Sequence, residues 1–233
     1  MKTLKNGIMK AINGGILIIL ISLSNQQNLE AQGFVNLNFE SANLTGYSSL
    51  QQVPISSALP GWSVDFIASG STNAVTQVVY NGISLGGQGI SIIDSNAPSF
   101  LPLQGKYSAF LFGTDLNGST TAMISQTALV PNDAASLLLD VYAFNSFEVS
   151  LGGQTINMIP LETFSNYTLY GANISSFAGD VETFSLIAPP TGGPNGVEFD
   201  NIQFSTSAVP EPSIFGFFAL GGAAFAWRRC QKS

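Results

Sequence analysis

Twelve carboxylates supply most of the reactive chemistry in the central part of this 233-residue chain. They lie between Gly33 and Ser207, where Lys106 is the only basic residue, so the formal charge of this stretch is −11. The chain has no histidine, and its one cysteine, Cys230, lies outside the stretch. Nucleophiles activated by histidine and zinc sites of the Cys/His type are therefore excluded. Proton transfer between carboxyl groups and the binding of hard cations remain.

Paired acids would suit a glycoside hydrolase, in which two carboxyl groups flank the scissile bond. Glu198 and Asp200 form such a pair by spacing, but twelve acids in one domain make close pairs unavoidable. We therefore expect most of the acids to be solvated on strand edges and loops, and we expect no catalytic centre. The acidic surface also makes nucleic acid and anionic lipid poor partners. The twelve acids are Glu40, Asp65, Asp94, Asp115, Asp133, Asp140, Glu148, Glu162, Asp180, Glu182, Glu198 and Asp200.

Two short patterns admit both a binding role and a structural role. Asp115-Leu116-Asn117-Gly118 has the look of a calcium-loop fragment, but the later ligands and the closing Glu are missing, which favours a turn. Trp62 could stack on a sugar ring. Its position after a glycine, at the start of a predicted strand, instead favours the core.

The elements that must position these residues are short strands. Runs of β-branched and aromatic residues recur along the stretch, bounded by Gly, Pro, Asn or Asp, and no sustained helical periodicity interrupts them. This pattern predicts an all-β domain over residues 33–207, an antiparallel β-sandwich of immunoglobulin-like or jelly-roll type, with the jelly roll preferred. The predicted strands are residues 34–39, 61–67, 75–80, 89–93, 107–112, 121–127, 136–143, 147–151, 155–159, 167–170, 181–187 and 197–204.

Two local patterns are sharper than the rest. Residues 147, 149 and 151 are apolar and alternate with polar residues, and Gly152-Gly153 follows, which predicts a hairpin. In the last predicted strand the alternation shifts at Asn201-Ile202, as a β-bulge would allow.

The first 31 residues have the order of a secretory signal peptide. Three lysines precede an apolar run at residues 16–21, and a polar stretch ends at Ala31. Cleavage between Ala31 and Gln32 would leave the rest of the chain exported. An uncleaved anchor is the alternative, but the apolar run is well short of the ~20 residues that a spanning helix needs.

Residues 209–233 combine three features in order. They are the segment Val209-Pro210-Glu211-Pro212-Ser213 with its Pro-Glu-Pro motif at 210–212, an apolar run at 214–227 predicted to be a helix, and a basic end at 228–232 that contains Arg228 and Arg229. This order closely resembles the PEP-CTERM protein-sorting signal. The resemblance implies an exported protein handed from the secretion machinery to an exosortase-type processing enzyme and sorted to the cell envelope or cell surface.

The physical properties of the tail agree with that resemblance. A helix over residues 214–227 would be ~21 Å long, less than the ~30 Å of a bilayer core, which suits transient membrane insertion of the precursor. The two arginines would stay on the cytoplasmic side. The alternatives are an ordinary C-terminal anchor or an apolar segment packed into the core.

Scattered short segments of the middle domain also resemble the galactose-binding-like jelly rolls that include many carbohydrate-binding modules. These segments are Asn38-Phe39-Glu40, Gly61-Trp62, residues 174–179 and Phe199-Asp200-Asn201-Ile202. The resemblance implies a structural calcium held by Glu40 and Asp200. Two surface carboxylates on neighbouring strands are the alternative.

The sequence favours a non-enzymatic exported protein of the cell envelope or of an exopolysaccharide matrix. A carbohydrate-binding module or adhesin that contacts extracellular polysaccharide is the first alternative, and a carboxylate-only glycoside hydrolase is the second. An exposed row of aromatics on one sheet face would favour the first alternative, whereas a face of Ser, Thr and Asn would favour a matrix protein.

Overall fold

The computed structural model describes residues 33–82, 89–114 and 119–209, which form two β-sheets packed face to face. The predicted signal helix with its cleavage site at Ala31 and Gln32, the predicted turn at residues 115–118 and the predicted tail from Pro210 onward lie outside the described residues. Within the described part, no helix has the length and apolar character needed to span a membrane.

The larger sheet has eight strands and the smaller has six. In spatial order the larger sheet contains β1 (Gln52–Pro54), β4 (Gln77–Tyr80), β5 (Gly89–Ile93), β6 (Ser108–Gly113), β14 (Asn195–Ser205), β8 (Ser136–Ala143), β12 (Thr168–Asn173) and β11 (Ile159–Thr163). The smaller sheet contains β10 (Gln154–Thr155), β9 (Glu148–Leu151), β13 (Val181–Ala188), β7 (Thr120–Leu129), β2 (Ser63–Ala68) and β3 (Ser71–Ala74). A short helix, α1 (Ile55–Ala58), and a 3₁₀ turn at Ser175–Phe177 complete the described elements.

The core lies between the sheets, where the inward-facing residues of the two sheets meet. In the smaller sheet, Val64, Ile124, Leu186 and Val149 form one buried row across four strands. Trp62 is also buried, and its ring lies 5.6 Å from that of Phe39. Each such apolar side chain contributes about 1.5–3 kcal/mol by leaving water.

The predicted all-β sandwich is confirmed, with β4 and β5 as the parallel pair among the described strands. The hairpin and the bulge are also found. Gly152 and Gly153 take positive φ angles between β9 and β10, and the pairing of β14 with β8 shifts register after Asp200. The positive φ of 48° at Asn201 accommodates that bulge.

The prediction of a strand at residues 34–39 is wrong. Asn36 and Phe39 take positive φ angles, which a regular strand does not allow, and the segment forms turns. It is nevertheless held at the sandwich, because the Gln126 side chain bonds both backbone groups of Val35. The predicted strand at 155–159 is also misplaced, because Thr155 ends β10, Ile159 begins β11 and the three residues between them belong to neither strand.

Candidate functional site

Aromatic side chains gather on the outer face of the larger sheet. Alternation in β6 and β8 turns Ala109 and Val141 inward, and therefore turns Phe110 and Tyr142 outward. Phe100, from the β5–β6 connection, lies over the outward rings. We call this set the aromatic band: Phe100, Phe110, Phe112, Tyr142 and Phe144, together with Phe164 and Tyr167 from the β11–β12 turn.

Ring contacts join five members of the band into one group, and Phe164 and Tyr167 form a separate pair. The centroid of Phe100 lies 5.0 Å from that of Phe110 and 5.6 Å from that of Phe144, and Tyr142 meets Phe144 edge to face at 5.7 Å. Phe164 stacks on Tyr167 at 4.7 Å. Phe110 is buried, but Tyr142 is 39%, Phe144 is 45% and Phe164 is 41% exposed. The band is therefore anchored beneath and open to solvent above.

Two grooves flank the exposed rings. The polar groove, of about 520 Å³, contains Tyr142, Phe164 and Tyr167 beside the amides of Asn145 and Asn166. The apolar groove, of about 480 Å³, lies on the other side of Phe144 and is lined by Leu50, Pro98, Phe100, Phe112 and Pro194 as well. Aromatic faces beside a few polar groups are typical of ligand-binding clefts.

Three carboxyl groups lie beneath the band. Asp140 on β8 is opposite Asp200 on β14, Glu198 is opposite Tyr142, and each of the three acids is 1% exposed. The chain between β5 and β6 covers this acid row. The side-chain amide of Gln104 donates to Asp140 at 2.7 Å and to the Tyr167 hydroxyl at 3.0 Å.

Burial sets the protonation of the acid row. Burial raises the pKa of Glu198 to about 8, and the negative charge of Asp200 contributes to the rise. A hydrogen bond from Ser108 lowers the pKa of Glu198 but does not offset the effect of burial. Burial likewise raises the pKa of Asp200 to about 7 and raises that of Asp140. Glu198 Oε1 is buried with no hydrogen-bond partner. Glu198 therefore favours its neutral form at neutral pH, whereas Asp200 is close to its midpoint there.

The expectation that most acids are solvated holds for seven of the eleven described acids, which are exposed or half-buried. It is wrong for Asp94, Asp140, Glu198 and Asp200, which are buried. The reason for the last three is the β5–β6 chain, which covers an outward-facing surface that the strand pattern alone assigns to solvent. The pair Glu198 and Asp200 consequently lies under other residues and does not line an open cleft.

Glu40 and Asp200, the candidate calcium ligands, hold the same loop. Glu40 Oε1 accepts from the backbone N–H groups of Lys106 at 2.6 Å and Tyr107 at 3.1 Å. Asp200 Oδ2 accepts from the backbone N–H of Gln104 at 2.9 Å and from Ser108 Oγ at 3.1 Å. The described residues contain no group of three or more acidic side chains arranged for a metal. Carboxylate oxygens suit calcium, but the geometry supplies only these two, so the calcium site stays a prediction.

The sequence pattern did not reveal a second buried network, centred on Asp94. Its carboxylate accepts hydrogen bonds from the Tyr80 hydroxyl at 2.6 Å and from Asn81 Nδ2 at 2.7 Å. It also accepts from the backbone N–H and from the side-chain amide of Asn96. Burial alone would raise the pKa of Asp94, but these donors together hold it below its ordinary value. Burial and the bond to Asp94 raise the pKa of Tyr80 to about 12. This network locks the ends of β4 and β5 together.

The outer face of the smaller sheet has a different chemistry. Ser63, Ser125, Ser185 and Ser150 are aligned across β2, β7, β13 and β9. On the same face the hydroxyls of Thr127 and Thr183 lie 2.8 Å apart. One face of the sandwich thus presents aromatic rings and the other presents hydroxyl groups.

The C-terminal segment is identified by comparison with protein families. Residues 208–229 match the PEP-CTERM protein-sorting motif, which marks an exported protein destined for the cell envelope or surface. Of this motif the structure describes Ala208, which is exposed, and Val209. Val209 is buried against the β-sandwich, next to Gly171.

Among curated proteins, none matches this chain. Among solved structures, the chain is similar to TmCBM61 in complex with beta-1,4-galactotriose, at 12% identity and a TM-score of 0.42, over 75% of this chain and 99% of that one. It is also similar to tailspike protein 4 of bacteriophage CBA120, at 12% identity and a TM-score of 0.39, over 73% of this chain and 21% of that one. It is similar as well to a beta-glucosidase from Kluyveromyces marxianus in complex with glucose, at 12% identity and a TM-score of 0.30, over 72% of this chain and 18% of that one. Nothing about binding or activity follows from these similarities.

Proposed function

We propose that this chain is a non-enzymatic exported protein, processed by an exosortase-type enzyme at its PEP-CTERM tail. Its β-sandwich binds polysaccharide of the cell envelope or of an exopolysaccharide matrix. The observation that carries the binding proposal is the aromatic band, whose rings stand half-exposed on one sheet face beside side-chain amides. A row of this kind is what distinguishes a polysaccharide-binding face from an inert one.

The chemistry of the polar groove matches that of a sugar chain. Pyranose rings have an apolar face of C–H groups, and the faces of Tyr142 and Phe164 offer apolar surface of similar size. Sugar hydroxyls need donors and acceptors, which Asn145, Asn166 and Thr168 provide at the same groove. Rings already packed against one another lose little freedom on binding, which favours affinity.

Binding without cleavage is supported by the surroundings of the acids. The sequence offers no histidine, and the domain has no cysteine to act as a nucleophile. Glu198 and Asp200 are covered by the β5–β6 chain, so a glycosidic bond on the band would not reach them in this arrangement. Matrix deposition without a specific ligand is the second candidate function, and the hydroxyl-rich face of the smaller sheet favours it.

A glycan array, run with calcium and with a chelator, tests the binding proposal. Tyr142→Ala and Phe164→Ala should each weaken binding at least about tenfold, the effect of about 1.4 kcal/mol, while the protein stays folded at the assay temperature. Val181→Ala is the matched control, because Val181 is also an exposed apolar side chain but lies on the other sheet. Equal affinity of all four proteins for every bound glycan would refute a role for the band.

The sorting proposal is tested by intact-mass measurement on envelope fractions. The mature protein should begin at Gln32 and lack residues 215–233, because both apolar segments are too short for comfortable permanent anchoring. Glu211→Ala should accumulate the unprocessed form. A peptide containing Trp227 in the stably localised wild-type protein would show that the tail is retained as an anchor.

A further inference from the structure

The aromatic band lies on a surface without positive charge. Lys106 is the only basic residue between Gly33 and Ser207. Its ammonium group lies 4.6 Å from the centroid of the Tyr107 ring, in a separate pocket with Asn43, Asp94 and Asn96. Neither groove beside the band is lined by a basic residue among the positions that the structure describes.

Negative charge, by contrast, is close to the band. Glu162 is exposed on β11, one residue before the start of the polar-groove lining at Thr163. The acid row beneath the band adds negative charge only to the extent that its buried carboxyl groups ionise. The domain as a whole carries a formal charge of −11. A uronate or sulfate group on the band would therefore meet like charge and find no cation as a partner, which disfavours binding.

The polar groups that the groove does offer are neutral. Asn145 and Asn166 contribute amides, and Thr163, Ser165 and Thr168 contribute hydroxyls. Each of these groups can exchange hydrogen bonds with a sugar hydroxyl, but none neutralises an anionic substituent.

We infer that the polysaccharide bound by the aromatic band is neutral and that acidic polysaccharides, those rich in uronate, sulfate or phosphate, are rejected. The inference rests on the proposed function and narrows its ligand class. The specificity comes from charge exclusion as well as from attraction, since the rings themselves would stack on neutral and acidic sugars alike.

The test uses matched polymers that share a backbone and differ in charge. The full chain, purified in mild detergent, is measured by affinity electrophoresis against hydroxyethyl and carboxymethyl cellulose, native and carboxymethyl dextran, and native and carboxymethyl guar. At low salt the neutral member of at least one pair should bind at least about tenfold more tightly, and high salt should shrink that ratio by screening the repulsion.

Two lysine variants distinguish the effect of a positive charge at the polar groove from the effect of a change in the net charge of the protein. Ser165→Lys places a cation at the exposed rim of the polar groove, whereas Thr127→Lys adds the same charge on the outer face of the smaller sheet. Ser165→Lys should strengthen binding of the carboxymethyl polymer about fivefold at low salt, the effect of one solvent-exposed charge contact. Thr127→Lys should change it little.

The outcomes distinguish this inference from the proposed function. If the carboxymethyl polymers bind as tightly as the neutral ones and Tyr142→Ala abolishes both, the band binds glycans but charge exclusion is wrong. An equal gain from the two lysine variants also overturns charge exclusion at the groove. If no polymer of either kind binds and the glycan array is blank, the proposed function fails and the inference fails with it.

Discussion

The carboxylate of Asp94 is the acceptor that holds the ends of β4 and β5 together, and Asp94→Ala removes it. Tyr80 and Asn81 are buried donors that would lose their bonds of 2.6 and 2.7 Å, whereas Asn96 is exposed and can turn to water. A hydrogen bond to a charged acceptor is worth about 1.5–3 kcal/mol, so the two buried bonds together amount to about 3–6 kcal/mol. That is a large share of the about 5–15 kcal/mol that stabilises a typical domain.

Asp94→Asn should cost less, because the Tyr80 hydroxyl can rotate to accept from the new amide. It should also change the response to acid. The hydrogen bonds hold the pKa of Asp94 below its ordinary value, so its contribution to stability is present above the unfolded-state pKa and is lost as the pH falls through the folded-state pKa. The wild-type protein should therefore lose more stability than Asp94→Asn on acidification.

Urea unfolding followed by circular dichroism, at neutral pH and in acid, measures both effects. Asp133→Ala is the control, since Asp133 is exposed and its removal should change stability by less than about 0.5 kcal/mol. If Asp94→Ala costs less than about 1 kcal/mol, the network does not bear on stability as argued. Equal acid sensitivity of the wild-type protein and Asp94→Asn would contradict the pKa reasoning.

Three further predictions concern other parts of the fold. Burial raises the pKa of Glu198 to about 8, so the contribution of Glu198 to stability is full at low pH and falls by about 4 kcal/mol as the pH rises from about 5 to about 8. The stability of Glu198→Gln, measured by urea unfolding in the presence of a chelator, should therefore depend less on pH than that of the wild-type protein. Identical pH profiles of the two proteins would rule this out. If calcium binds at Glu40 and Asp200, added calcium should raise the melting temperature of the wild-type protein but not of Glu40→Gln, and a rise in both would exclude the site. Gly171→Ala would place a Cβ 2.7 Å from Leu161, 2.9 Å from Val209 and 3.0 Å from Leu138. Because Val209 is near the end of the described chain and is the easiest of the three to displace, limited proteolysis should cut near it faster than in the wild-type protein; an unchanged rate would show that the leucines accommodate the added methyl group instead.

Much of the fold could be predicted because strand alternation is a local property. Residues 89–93 and 136–143 match β5 and β8 in full, since their β-branched and aromatic runs end at clear breaks in composition. The segment at 34–39 could not be predicted in this way. Its turns depend on Asn36 and Phe39 in left-handed conformations and on Gln126, which is distant in sequence.

The candidate site was predictable only in part. Alternation with Val197 and Phe199 correctly places Glu198 and Asp200 on the outer face of β14. Their burial depends on the β5–β6 chain crossing that face, and no local pattern in β14 records a long-range contact. The aromatic band has the same limitation, because its rings come from connections and strands far apart in the chain.

The point where the tail leaves the domain bears on how sorting and binding can coexist. Val209 is buried next to Gly171, four residues beyond the end of β14 at Ser205. The backbone N–H of Phe144, a member of the band, donates a hydrogen bond to the carbonyl of Gly196 near the start of β14. Nine residues of extended strand separate Gly196 from Ser205, a distance of about 30 Å. Val209 therefore lies toward one end of β14 and Phe144 toward the other, so a glycan on the Phe144 part of the aromatic band is compatible with processing at the tail.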